Sequence, residues 1–171
     1  MGSSDSRTRP TWCKAPTFFA AILWTSPALC DGKTGVLAGA SAPLLERARE
    51  GAARKLTQPN CQQVPEDFRD RQGRTLAENL EMWNRSASDY LLMVPFRDGS
   101  SHPPCTSGRS TLFTVVGTFP VFVCGNFRKE AEGNPFAAEN WVIHEMLHTL
   151  GLGEDPPTSL EITRQVNERC Q

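Results

Sequence analysis

Apolar and polar positions follow two rhythms along this chain. From Ala42 to Lys55 (APLLERAREGAARK), Leu44, Leu45, Ala48 and Ala52 recur at helical spacing with charged residues between them. A second amphipathic stretch runs from Thr75 to Arg85, with Leu76, Leu80 and Trp83 forming one stripe that reads as core. The rhythm then changes. YLLMVPF (Tyr90 to Phe96), TLFTVV (Thr111 to Val116) and PVFVC (Pro120 to Cys124) are short apolar runs with β-branched and aromatic residues, and they predict strands. The brief link Gly117-Thr118-Phe119 makes the last two a hairpin. The polar segment between the first two predicts a loop, and its His102 reads as a solvated loop histidine.

Helical spacing returns with clear punctuation. Asn134 can cap a helix whose first position is Pro135, where a missing N–H costs nothing. The helix runs through FAAENWVIHEMLHTL to Gly151, a stop signal, with Ile143, Leu147 and Leu150 on the face expected to bury. Thr158 and Glu161 fit a capping box for a last helix, lined on its inner side by Ile162, Val166 and Cys170. The pattern predicts an α+β fold: N-terminal helices, a short, twisted, mainly antiparallel sheet packed on the long helix, and a C-terminal helix. No internal repeat, low-complexity tract or linker interrupts it.

Composition changes the picture only at the N-terminus. The chain is 171 residues long with ordinary hydrophobic (39%) and charged (22%) shares, enough for one core. A net charge of -1 and the lack of any basic block exclude nucleic acid as the expected partner. Arg7, Arg9 and Lys14 precede an apolar stretch from Ala15 to Cys30, the layout of a secretory signal. Cleavage before Asp31 would leave residues 1–30 as signal peptide and 31–171 as a single domain, secreted or periplasmic and read as a monomer. Acylation at Cys30 fits less well because bulky Leu29 precedes it; a buried N-terminal helix is the other alternative. Pro16 and Pro27 interrupt the stretch, so no stable membrane insertion is expected once it is removed.

Of the six cysteines, Cys13 and Cys30 would leave with the leader, and Cys61, Cys105, Cys124 and Cys170 remain. An even number in a secreted domain implies two disulfides. Four cysteines allow three pairings; we expect Cys61 with Cys105 and Cys124 with Cys170, tying the C-terminus to the sheet.

The candidate chemistry lies at the end of the long helix, in HEMLHTLGLGE. His144 and His148 project from one face a turn apart, so both imidazoles can reach one Zn²⁺. Glu145 stands about 100° around the helix from His144, beside such a metal without ligating it, placed to take a proton from an activated water. The alternative is a helix whose histidines merely pack.

HExxHxxGxxE resembles the zincin metallopeptidases, and its spacing is similar to the metzincin version, in which a glycine turn brings a third ligand to the metal. The resemblance implies His144 and His148 as ligands, Glu145 as general base, Gly151 as the turn and Glu154 as third ligand, where the family usually has His. The chain departs from the family in having no methionine after Met146 to form a methionine turn. The gluzincin branch takes its third ligand, a Glu, from a later helix, which makes Glu161 the alternative, with Asp155 behind it. Tyr90, the only tyrosine, is a candidate oxyanion donor, with a packed ring as its ordinary alternative. One of the two hairpin strands could bind extended substrate by edge pairing. The expectation is a secreted zinc-dependent metallopeptidase acting on a peptide or protein substrate. The alternative is a zinc-binding interaction module, or a narrow-specificity toxin or effector without general proteolytic activity.

Overall fold

A computed structural model describes residues 41–171, and its first element is helix α1 (Ala42–Lys55), where the first amphipathic stretch predicts it. The signal-peptide reading of residues 1–30, with Cys13 and Cys30, lies outside the described residues. Leu45, Ala48 and Ala52 of α1 are buried, and the helix packs against two later helices, Ala87–Met93 and Pro135–Thr149. A 3-10 turn at Cys61–Gln63 leads into the short α2 (Val64–Asp67). Helix α3 (Leu76–Met82) starts from a capping box in which Thr75 and Glu78 satisfy each other's backbone N–H. Leu76 and Leu80 enter the core as expected, but Trp83 caps the helix and stays half exposed, its ring edge-on to Phe119 at 5.2 Å.

The first expected strand is largely a helix. Residues Ala87–Met93 form α4, with the Ser86 hydroxyl accepting the Asp89 N–H. Leu and Met are good helix formers, and Ser86 supplies an N-cap; those local signals outweigh the apolar run. Only Phe96–Asp98 is strand, β1. Helix α5 (Pro103–Thr106) occupies part of the expected loop. Strands β2 (Leu112–Thr114) and β3 (Val121–Val123) pair antiparallel, as the hairpin requires. β1 joins β3 in parallel, giving the order β1-β3-β2, so the sheet is mixed rather than mainly antiparallel. The connection through α5 skips one position, leaving β3 central and β2 at an edge.

Helix α6 (Phe127–Gly133) is followed at once by the long helix α7 (Pro135–Thr149), where Asn134 accepts the Ala137 N–H at 3.0 Å. The Thr158–Glu161 capping box opens α8 (Ser159–Arg169), whose Ile162 and Val166 are fully buried, as is Cys170 just beyond it. α7 is the hub: it touches α1, α6, α8, β2 and β3, and Ile143 and Leu147 are wholly enclosed. The result is a small α+β domain. Among the described residues no helix is long and apolar enough to cross a membrane.

Both disulfides differ from the expected pairing. The bonds are Cys61–Cys170 and Cys105–Cys124, with Cα separations of 4.6 and 5.0 Å. The inner face of α8 brings Cys170 to the turn after α1, where Arg169 also binds Asp67. Cys105 on α5 meets Cys124 at the end of β3, so this bond braces the sheet and the other closes the helical layer.

The two bonds span 109 and 19 residues of chain. Loop-closure entropy then predicts a larger loss for Cys61→Ser/Cys170→Ser, about 4–5 kcal/mol, than for Cys105→Ser/Cys124→Ser, about 3 kcal/mol. Denaturant unfolding of the two double variants checks the order.

Candidate metal centre

α7 ends in a reversal that the sequence dictates locally. Gly151 has φ of 107°, a left-handed conformation that a side chain would strain. The Gly151 N–H donates to the His148 carbonyl at 3.0 Å and the Leu152 N–H to the Leu147 carbonyl at 3.1 Å. This pair of bonds defines a Schellman cap. Leu147 and Leu152 are both buried, the apolar contact that accompanies such a cap. The Leu150 carbonyl is taken by the Asn79 amide at 2.9 Å, and the same amide donates to Asp70 at 3.0 Å. Asp70, bonded to Arg74 and to the Gln72 and Arg74 N–H groups as well, is held down at about 2 despite its burial.

The reversal carries Glu154 back over the helix face that presents the two histidines. His148 Nε2 lies 3.0 Å from His144 Nε2 and 3.2 Å from Glu154 Oε1, and His144 Nε2 lies 3.7 Å from the same oxygen. Donors around a tetrahedral Zn²⁺ at 2.0–2.1 Å stand about 3.3–3.4 Å apart, so the three distances bracket the edge of such a site. His144, His148 and Glu154 form a group that could bind a metal ion.

The outer nitrogens of the histidines are engaged too. His148 Nδ1 is 2.7 Å from the Leu152 carbonyl, which only accepts, so Nδ1 carries the proton and Nε2 offers a lone pair. His144 Nδ1 is 3.0 Å from the Thr163 hydroxyl on α8. Burial, with His148 alongside, lowers His144 to about 4, against the opposing pull of Glu154. Both effects favour neutral imidazole, the form that ligates.

Glu145 is buried beside this cluster. Burial, reinforced by the charge of Glu154, pushes its carboxyl up to about 8, while the Thr114 hydroxyl pulls the other way. Among the described residues its buried Oε2 has no hydrogen-bond partner, which a buried polar atom ordinarily has. A cleft of about 540 Å³ opens here, lined by all four residues, by Leu112, Phe113 and Thr114 of β2, and by Arg71 and Asp155. Of the two hairpin strands, edge strand β2 is the one that borders the cleft. The Gly117 N–H in the hairpin turn donates to the His148 carbonyl at 2.9 Å, fastening this wall to the ligand-bearing helix.

Other candidates lie elsewhere. Tyr90 is on α4 rather than a strand, wholly buried, with its hydroxyl 3.1 Å from Thr149 Oγ1. It does not line the cleft, so its position gives the oxyanion role no support. Glu161 is exposed and occupied in capping α8, accepting from the Thr158 N–H at 2.8 Å. Asp155 lines the cleft but stands outside the three-donor group. His102 is partly buried against Phe122, ring centroids 4.6 Å apart, rather than free in solvent. Sequence reasoning missed Thr163, Asn79 and Asp70, which act from other elements through contacts that leave no spacing signal.

Comparison of the chain with protein-family models, with curated proteins and with solved structures found no match. Calorimetric titration with Zn²⁺ is expected to give one site per chain, abolished by Glu154→Ala and weakened about 10–100-fold by Thr163→Val through loss of the outer partner of His144. Gly151→Ala is expected to cost about 1–3 kcal/mol of stability, read by denaturant unfolding.

Proposed function

We propose that the chain is a secreted zinc-dependent metallopeptidase that hydrolyses peptide bonds. The observation that carries this reading is a three-donor group sharing its cleft with a buried acid, Glu145, whose Oε2 has no hydrogen-bond partner among the described residues. A purely structural site fills its coordination and needs no base beside it. The motif resemblance to the zincins agrees, as do two disulfides suited to an oxidising compartment.

His144, His148 and Glu154 would hold the metal, a His₂Glu set that leaves a position open. Zinc bound there would supply Lewis acidity, polarising the scissile carbonyl and making water a nucleophile near neutral pH. Glu145 takes the proton released as water attacks and returns it to the leaving amine. The dication would also favour its ionised form over the protonated one. Thr163 and the Leu152 carbonyl keep the two imidazoles oriented. Edge strand β2 offers the backbone donors and acceptors along which an extended peptide can lie.

Glu145→Gln is expected to keep zinc stoichiometry while turnover of a quenched fluorescent peptide library falls by about 100-fold or more. Wild-type protein that binds zinc yet cleaves neither the library nor casein would instead favour the interaction-module or narrow-effector reading.

A further inference from the structure

Arg71 is a cleft residue that the peptidase chemistry does not use. It is the only Lys or Arg among the described residues lining the cleft that holds His144, Glu145, His148 and Glu154. Its neighbours are engaged: Arg69 donates to the Gly73 carbonyl at 3.0 Å, and Arg74 pairs with Asp70 at 2.7 Å. Arg71 has no hydrogen-bond or ion-pair partner among the described residues. Besides Glu145, two carboxylates border the same space, Glu154 and Asp155. Glu154 is turned to the histidines instead, at 3.2 and 3.7 Å, and Asp155 forms no ion pair with Arg71.

The backbone that presents Arg71 is tightly tied. The Asp70 N–H donates to the Arg74 carbonyl at 2.8 Å, and the Gly73 N–H to the Asp70 carbonyl at 3.0 Å. The Asp70 side chain closes the turn from inside, accepting the Gln72 N–H at 2.8 Å. Through Asn79 it is joined to the end of α7. At the tip, a Cβ added to Gly153 would come within 3.7 Å of Arg71 Nε. The side chain therefore runs past the residue before Glu154, on a loop anchored to the same chain reversal that delivers that carboxylate. A guanidinium so placed, exposed and unpaired, presents a fork of donors to whatever enters the cleft.

We propose that Arg71 is the specificity residue of the cleft, taking a carboxylate of the bound peptide in a charge-assisted, forked hydrogen bond. The inference rests on the peptidase reading for the ligand's being a peptide. The carboxylate is either the peptide's C-terminal group or an acidic side chain near the scissile bond; the chemistry is the same and experiment separates the two. A bound dication would offset part of the negative charge of Glu154 and Asp155, and Arg71 is the protein's own cation at the rim.

The full chain carrying Glu145→Gln to prevent turnover, and loaded with zinc, is titrated calorimetrically with three N-acetylated alanine peptides. One has a free C-terminus, one is amidated, and one is amidated with a single internal Glu. At least one carboxylate peptide is expected to bind about tenfold more tightly than the neutral amide. Arg71→Ala should erase that preference without altering zinc affinity, and Arg71→Lys should restore only part of it. The peptide that shows the preference identifies the source of the carboxylate. Equal binding of all three, or a preference that survives Arg71→Ala and so belongs to the metal, overturns the proposal. Zinc binding is measured first on the same samples. If the wild-type chain takes up none, the peptidase reading falls, and the same titrations on the metal-free protein decide the role of Arg71 separately.

Discussion

The side-chain amide of Asn79 donates to two acceptors that belong to distant parts of the chain, the Leu150 carbonyl and the Asp70 carboxylate. Asn79 is itself buried, where each of these groups would be costly to leave unpaired. The bridge does what no contact within α7 can do. A helix ends with carbonyls that have no internal partners, and here one of them is claimed by another helix. That fixes where the chain leaves α7, and so where Gly151 turns it and where Glu154 arrives. The position of the third donor thus follows from a hydrogen bond made at a residue 75 positions earlier in the sequence.

What was legible in the sequence was local. Asn134 with Ala137 and Thr158 with Glu161 are pairs three residues apart, and the physics of a cap is complete within one turn. The histidine spacing on α7 and the stop at Gly151 belong to the same kind of information, whereas Glu154 as third donor, with Glu161 as its alternative, comes from the motif's resemblance to the zincins. Tyr90 to Met93 failed for a related reason: an apolar run of that length suits a strand or a buried helix equally, and the Ser86 cap decides between them. The disulfides were illegible because pairing depends on where α8 and α5 dock, not on cysteine spacing. Thr163 and Asn79 are silent for the same reason, since a hydroxyl or an amide in a helix looks like any other surface residue until its partner is known.

Proton affinities in the cleft are set by burial as much as by charge. His144 is depressed and Glu145 raised, in each case first by loss of solvent. Desolvation thus favours the uncharged form of both groups; a cation entering among the donors would keep His144 neutral but restore the charge of Glu145. Asp70 shows the opposite balance: its side chain is inaccessible too, yet it stays ionised because five donated hydrogen bonds from its neighbours replace water. Two buried carboxyl groups close to one helix end therefore have opposite characters, one a fixed anchor and the other with an oxygen that no described residue satisfies.

The bond from the Gly117 N–H to the His148 carbonyl has a mechanical meaning. It joins the turn of the β2–β3 hairpin to the backbone of a residue whose imidazole is one of the three donors. Carbonyl and imidazole share one Cα, so the turn that carries β2 and the donor are positioned by the same backbone unit. Gly117, with φ of 75°, gives the turn the shape that makes the joint. The edge-strand wall of the cleft and the helix that carries two of its three donors are thereby one hydrogen-bonded frame.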